Sequence, residues 1–154
     1  MKLRIIIALL CLLASSAMAA DKKEIESITV LADSSLAVPL SQAASAFAHK
    51  TMDNNTMISV ANIFGVSANQ KKKIEDGDSG DVFITTDASL IQQLKTKGMI
   101  DVYSIGEIAS EHARHYTAAV VASENMTPAR KFLEYLKSDE AKEIFDSNGF
   151  TTPE

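Results

Sequence analysis

The stretch ITVLADSSLAVPLSQAASAFAHK, residues 28–50, decides how the chain is read. Its first six residues alternate β-branched and apolar side chains and stop at an aspartate, which is the pattern of a short buried strand. Two serines follow, Ser34 and Ser35. Leu36, Leu40, Ala43, Ala44 and Phe47 then recur at helical spacing, so the spacing predicts a helix over 36–49. Pro39 falls in its first turn, where a missing N–H costs nothing. Two hydroxyls thus stand where a strand hands over to a helix.

The same grammar repeats downstream. Met57 to Phe64 reads as a second strand, Gly65 as a sharp turn, and Ser67 as the start of a helix through Ile74 that ends at Gly77. DVFIT, residues 81–85, is a third strand, followed by Asp87 as a cap and a helix ending at Lys97-Gly98. Tyr116 to Ala122 is a further strand. Thr127 is expected to cap a helix carrying Phe132, Leu133 and Leu136, and Ser138 to Phe145 forms one more. Alternation of this kind predicts an α/β fold, a mostly parallel sheet with helices on both faces. In such sheets ligands gather at the carboxyl ends of the strands, where both serine turns are expected.

The N-terminus has a different character. Met1 to Arg4 carries two positive charges, Ile5 to Leu13 is an unbroken apolar run, and Ala17-Met18-Ala19 is a small-x-small cleavage pattern, so residues 1–19 read as a secretory signal. The expected location is periplasmic, with residues 20–154 as one domain. The single cysteine, Cys11, lies in that signal, and Leu9 and Leu10 before it do not fit a lipid-attachment site. No disulfide is then available to the exported part.

Of 15 basic residues two, Lys2 and Arg4, belong to the signal, which leaves 13 against 20 acidic residues and a net charge of −7. So acidic a chain, with no tryptophan and no basic arm, is unsuited to nucleic acid. An anion would have to be held by local dipoles. A helix start offers unpaired N–H groups and a partial positive charge of roughly half a unit, and a serine hydroxyl adds a rotatable donor. Serine is also a common N-cap, stabilising its own helix by about 0.5–2 kcal/mol with no ligand present. Either role fits one serine turn taken alone.

The stretches ITVLADSSL, ANIFGVSANQKKKIEDG, GDVFITTDASLIQQLKTKGMID and HYTAAVVASENMTPARKFLEYLKSDEAKEIFDSNGF together resemble the periplasmic molybdate-binding proteins of ABC importers, a branch of the type II periplasmic binding proteins. The resemblance implies a binding protein for molybdate or tungstate, with no cofactor, no metal and no covalent chemistry. The oxyanion would be held by serine hydroxyls and backbone amides, the ligand serines falling on Ser35 and Ser67. Ser34, Gly65, Val66 and Ala68 are the neighbouring candidates for backbone or rim contacts. It also implies an ABC permease as the receiving partner. Family members have two lobes closing on the ligand, whereas only 14 residues separate Asp101 from Tyr116 here, too few for an independent lobe. The expectation is a single lobe resembling the first, with an open site that binds weakly or needs a homodimer or partner to cover it. A second expectation stands beside it: a periplasmic interaction module that keeps the scaffold and has lost its ligand.

Other motifs carry less. His112 and His115 lie three apart without further ligands, so they are expected on the surface of the connecting loop. DSSL lacks the glycines of a nucleophile elbow, Asp33 is expected to serve as a turn or capping residue, and Lys71 to Lys73 either steer anions or form a solvated helix face.

Overall fold

The computed structural model describes residues 24–52, 56–78 and 80–154; residues 1–19, expected to be a secretory signal, and Cys11 within them lie outside that range. Five strands form one sheet: β1 (Glu24–Asp33), β2 (Thr56–Gly65), β3 (Val82–Thr85), β4 (Gly106–Glu111) and β5 (Arg114–Val120). Five helices accompany them: α1 (Ala37–Met52), α2 (Ser67–Glu75), α3 (Ala88–Thr96), α4 (Met126–Leu136) and α5 (Asp139–Ser147). A 3-10 turn, Ser34–Leu36, joins β1 to α1.

The strand order is β2-β1-β3-β5-β4. β1 pairs in parallel with both β2 and β3, while β5 runs antiparallel to β3 and to β4. Four strands therefore share one direction and β5 alone is reversed. The chain goes outward from β1 to β2 through α1, then crosses back over β1 to β3 through α2. A right-handed crossover that changes direction must change face, and the packing follows that rule.

Period-two alternation assigns each strand residue to a face. Ile28, Val30 and Ala32 of β1, Val82 and Ile84 of β3, and Tyr116, Ala118 and Val120 of β5 join a core with Leu40 and Phe47 of α1, Phe132 and Leu136 of α4, and Phe145 of α5. Leu31, Phe83 and Ala119 point the other way, into a smaller core with Ile74 of α2 and Ile91 and Leu94 of α3. Each such fully buried large side chain contributes about 1.5–3 kcal/mol relative to exposure. The larger core is closed by edge-to-face rings, Phe47 on Phe132 at 5.2 Å and Phe145 on Phe150 at 6.0 Å.

Away from the serine turns, Asp81 ties three strands together. It is buried; one carboxylate oxygen accepts the Thr29 N–H at 2.7 Å and the other the Ser123 hydroxyl at 2.7 Å. Its own N–H donates to the Thr29 carbonyl and its carbonyl accepts from Val121, both at 2.8 Å. β1, β3 and the end of β5 are thereby held in one register.

Two details depart from the sequence reading. The segment expected to be a connecting loop contains β4, which forms a hairpin with β5. His112 stands at its turn with φ 55°, a left-handed conformation that non-glycine residues seldom adopt. Thr127 does not cap α4: the N-cap position is Asn125, with no side-chain capping bond. Where the sequence carries a stronger capping signal the expectation holds, Asp87 accepting from the Ser89 N–H and Ser138 from the Ala141 N–H.

Candidate functional site

The register of β1 against β2 builds the site. Asp33 is paired with Gly65 at the carboxyl ends of the two strands, and adjacent strands run about 4.8 Å apart. Ser35 and Ser67 each lie two residues beyond that last pair, so the two turns emerge side by side. β3 ends beside them. This is also where the strand order reverses direction, the place at which open α/β sheets keep their ligands.

Asp33 has an extended backbone, φ −61° and ψ 140°, and its carboxylate folds back over the turn as the cap of the 3-10 segment. Oδ1 accepts from the Ser35 N–H at 3.1 Å and from the Ser35 hydroxyl at 2.7 Å. Oδ2 accepts from the Ser67 hydroxyl at 3.2 Å. The two serines singled out from the sequence therefore meet on one carboxylate. Ser35 is half-buried and Ser67 is buried.

Tyr116 completes the cluster from the far side of β3. Because β5 is reversed, its beginning lies at the rim where β1, β2 and β3 end, with Thr117 opposite Thr85. The Tyr116 hydroxyl is 2.8 Å from Ser35 Oγ. Its ring is fully buried and meets Phe150 edge-on, 5.7 Å between centroids.

Hydrogen counting sets the direction of these bonds. A carboxylate only accepts, and each hydroxyl has one hydrogen. Ser35 gives its hydrogen to Asp33, so Tyr116 must be the donor to Ser35. The relay runs from Tyr116 to Ser35 to Asp33, with Ser67 donating to the same carboxylate from the other side. All three hydroxyl hydrogens are committed within the protein.

That geometry corrects one expectation. An anion was expected to be held by local dipoles and serine hydroxyls, but a carboxylate stands between those hydroxyls. Nor does either serine cap a helix with its side chain. α2 starts at Ser67 with Val66 at the N-cap position and no side-chain capping bond, and the Asn69 and Gln70 N–H groups turn back to the Val66 carbonyl. Ser34, Val66 and Ala68 are exposed along the rim.

Gly65 fits the turn because Gln70 packs across it. A Cβ there would lie 2.9 Å from Gln70 Nε2, which donates to the Ile63 carbonyl at 2.9 Å. Buried Gln70 thus pins the start of α2 to the end of β2.

The remaining sequence candidates lie elsewhere. His115 is exposed on the hairpin with Nδ1 3.0 Å from Glu107 Oε1, and among the described residues no group of three or more His, Cys, Asp or Glu side chains could hold a metal ion. Lys71 pairs with Glu75 at 2.7 Å and Lys72 with Asp76 at 2.6 Å. Both of these ion pairs run along α2 itself. Glu75 also meets Lys97 at 2.6 Å. Hydrogen bonds from Lys71 and then Lys97 lower the Glu75 pKa from its ordinary 4.5 to about 2.

Tyr116 was not identified from the sequence as a member of the site. The only available signal was its position near the head of a strand, and that strand's direction is a matter of pairing. Asp33 was assigned its capping role correctly, but its bridge to Ser67 depends on the β1-β2 register.

The chain matches the sequence profile described as bacterial extracellular solute-binding protein over residues 28–113 and 102–151. No curated protein sequence matches it at a significant level. Among solved structures it is similar to the substrate-binding domain of a proposed molybdenum ABC transporter from Clostridium difficile, with a TM-score of 0.74 and 13% identity, covering 85% of this chain and 100% of that one. The periplasmic molybdate-binding protein of Azotobacter vinelandii aligns with a TM-score of 0.73 and 11% identity, covering 82% and 100%. The sulfate-binding protein SubI of Mycobacterium tuberculosis aligns with a TM-score of 0.70 and 12% identity, covering 82% and 87%. At these identities the structural matches speak to the fold.

Proposed function

Because the chain belongs to the bacterial extracellular solute-binding protein family, we propose that it is an exported, periplasmic binding protein that takes a tetrahedral oxyanion at the rim formed by Ser35 and Ser67 and presents it to an ABC permease. The observation that carries this reading is the convergence of two hydroxyls from separate turns on one small anionic group, the Asp33 carboxylate. Tyr116 orients Ser35, and the amides at the start of α2, beside Val66 and Ala68, add donors that need no cation.

Molybdate and tungstate are the ligands implied by the sequence resemblance, and sulfate and phosphate share their shape. A single lobe leaves one face of such a ligand to water, so binding is weak unless a second copy or a partner covers it. No step of covalent chemistry is involved.

Titration calorimetry of the purified protein with molybdate, tungstate, sulfate and phosphate tests the proposal. At least one anion is expected to bind, and Ser35→Ala to weaken it by releasing the Asp33 carboxylate that the Ser35 hydroxyl holds in place. Absence of heat and of any thermal shift with all four would overturn it. A second reading, an interaction module without ligand, is favoured by the carboxylate already seated between the serines and by exposed Val38 and Val66, 59% and 66% accessible, beside the two turns. A dimer or complex unaffected by oxyanions would support it.

A further inference from the structure

The hydrogen count at the rim bears on which oxyanion the site takes. Ser35, Ser67 and Tyr116 have each given their hydroxyl hydrogen to another group of the cluster, so a ligand arriving there finds no hydrogen free on any of these three. It finds an acceptor instead. A carboxylate offers about four lone-pair directions. Three are taken at Asp33, two on Oδ1 by the Ser35 N–H and hydroxyl and one on Oδ2 by Ser67, which leaves one on Oδ2. Among the described residues no lysine, arginine or histidine forms an ion pair with Asp33. Its recorded partners at the rim are two hydroxyls and one backbone amide.

Two kinds of tetrahedral anion meet such a site differently. Sulfate and molybdate are fully ionised at neutral pH and carry no hydrogen, so each would set an oxygen lone pair against the Asp33 carboxylate with nothing between them. Hydrogen phosphate and hydrogen arsenate keep at least one O–H. That hydrogen can be donated to Oδ2, turning a repulsive contact into a charge-assisted bond, while the other ligand oxygens face the amides at the start of α2. A site whose polar group is satisfied by one ligand and left opposed by its analogue discriminates strongly between them.

We propose that Asp33 is a specificity-determining residue, and that its carboxylate selects a proton-bearing tetrahedral oxyanion, of the hydrogen phosphate or hydrogen arsenate class, over fully ionised ones. This rests on the oxyanion reading above and narrows it. The ligand supplies the hydrogen and Asp33 accepts it, with no bond to the central atom changed.

The test is titration calorimetry of the purified protein at pH 7 with inorganic phosphate, arsenate, sulfate and molybdate, run in parallel on Asp33→Asn. Asparagine caps a helix start as well as aspartate does, so the variant keeps the turn, and a thermal melt verifies its folding. The wild type is expected to bind phosphate and arsenate at least tenfold more tightly than sulfate and molybdate. Asp33→Asn is expected to erase or invert that ratio, because its amide can donate to a fully ionised anion. The wild-type ratio stands as a measurement on its own should the variant fail to fold. Wild-type preference for sulfate or molybdate, or an unchanged ratio in Asp33→Asn, would overturn this inference and leave the oxyanion reading intact. No binding of any of the four by either protein would overturn both.

Discussion

The relay from Tyr116 to Ser35 can be tested by taking out its oxygens one at a time. Tyr116→Phe keeps the ring in contact with Phe150 and deletes only the hydroxyl whose oxygen lies 2.8 Å from Ser35 Oγ. The bond is neutral, so its loss should cost about 0.5–1.5 kcal/mol, which in a chain of this size lowers Tm by roughly 2–6 °C. Ser35→Ala removes the same bond together with the hydroxyl bond to Asp33 at 2.7 Å. It should cost more, because a carboxylate loses a donor in a half-buried position. The two residues are in direct contact, so their effects should not add. The double variant should be less damaged than the sum of the singles by about 0.5–1.5 kcal/mol, the coupling that a shared hydrogen bond leaves in a double-mutant cycle. Urea denaturation followed by circular dichroism measures all four proteins, provided the m-value is unchanged. A coupling within about 0.3 kcal/mol of zero would refute the relay, since it would mean that the Tyr116 hydroxyl is satisfied elsewhere and that the hydrogen count at Asp33 is wrong.

Two further outcomes check the frame around the site. A Cβ on Gly80 would lie 2.6 Å from Leu31 Cδ1 and 3.1 Å from its Cγ, and Leu31 is fully buried between β1 and α2. Gly80→Ala should therefore destabilise by about 1–3 kcal/mol through overpacking, and a urea midpoint equal to that of the wild type would show that Leu31 has room to move. Glu75, held near pKa 2 by Lys71 and Lys97 against an ordinary 4.5, gives a pH signature. The unfolded chain binds the proton more readily, so this carboxylate stabilises the fold above pH 4.5 and loses that contribution as pH falls toward 2. Melting curves across that window should fall less steeply for Glu75→Gln than for the wild type, and parallel curves would sink the assignment.

The energetics of the site turn on a competition between dipoles and a carboxylate. Helix starts and hydroxyls make the rim hospitable to an anion, and Asp33 has already claimed their hydrogens. An oxyanion bound as proposed would gain by sharing that arrangement rather than displacing it, so its own hydrogen would matter. An open face, as the single-lobe reading proposes, would sharpen the point. Water competes at any exposed contact, so only bonds to charged groups hold enough free energy to select one anion from another.

The pattern of residues 28–50 was enough to place a strand, a serine turn and a helix in sequence, because apolar spacing and turn chemistry act over a few residues. The same local rules located β2, α2, β3, α3, α4 and α5 to within a few positions and marked the serine turns, while the choice of Ser35 and Ser67 within them came from the family resemblance. The β4-β5 hairpin escaped them. Its turn holds His112 in a left-handed conformation without the glycine or asparagine that usually marks such a turn, so nothing local announced a reversal. The consequence is far from local. Reversing β5 carries Tyr116 to the rim, and the parallel register that pairs Asp33 with Gly65 sets its carboxylate between two serines separated by 32 positions in the chain. Which residues form strands and helices follows from neighbours in sequence. Which hydroxyl receives which hydrogen follows from strand pairing, and pairing is settled only when the whole sheet assembles around its core.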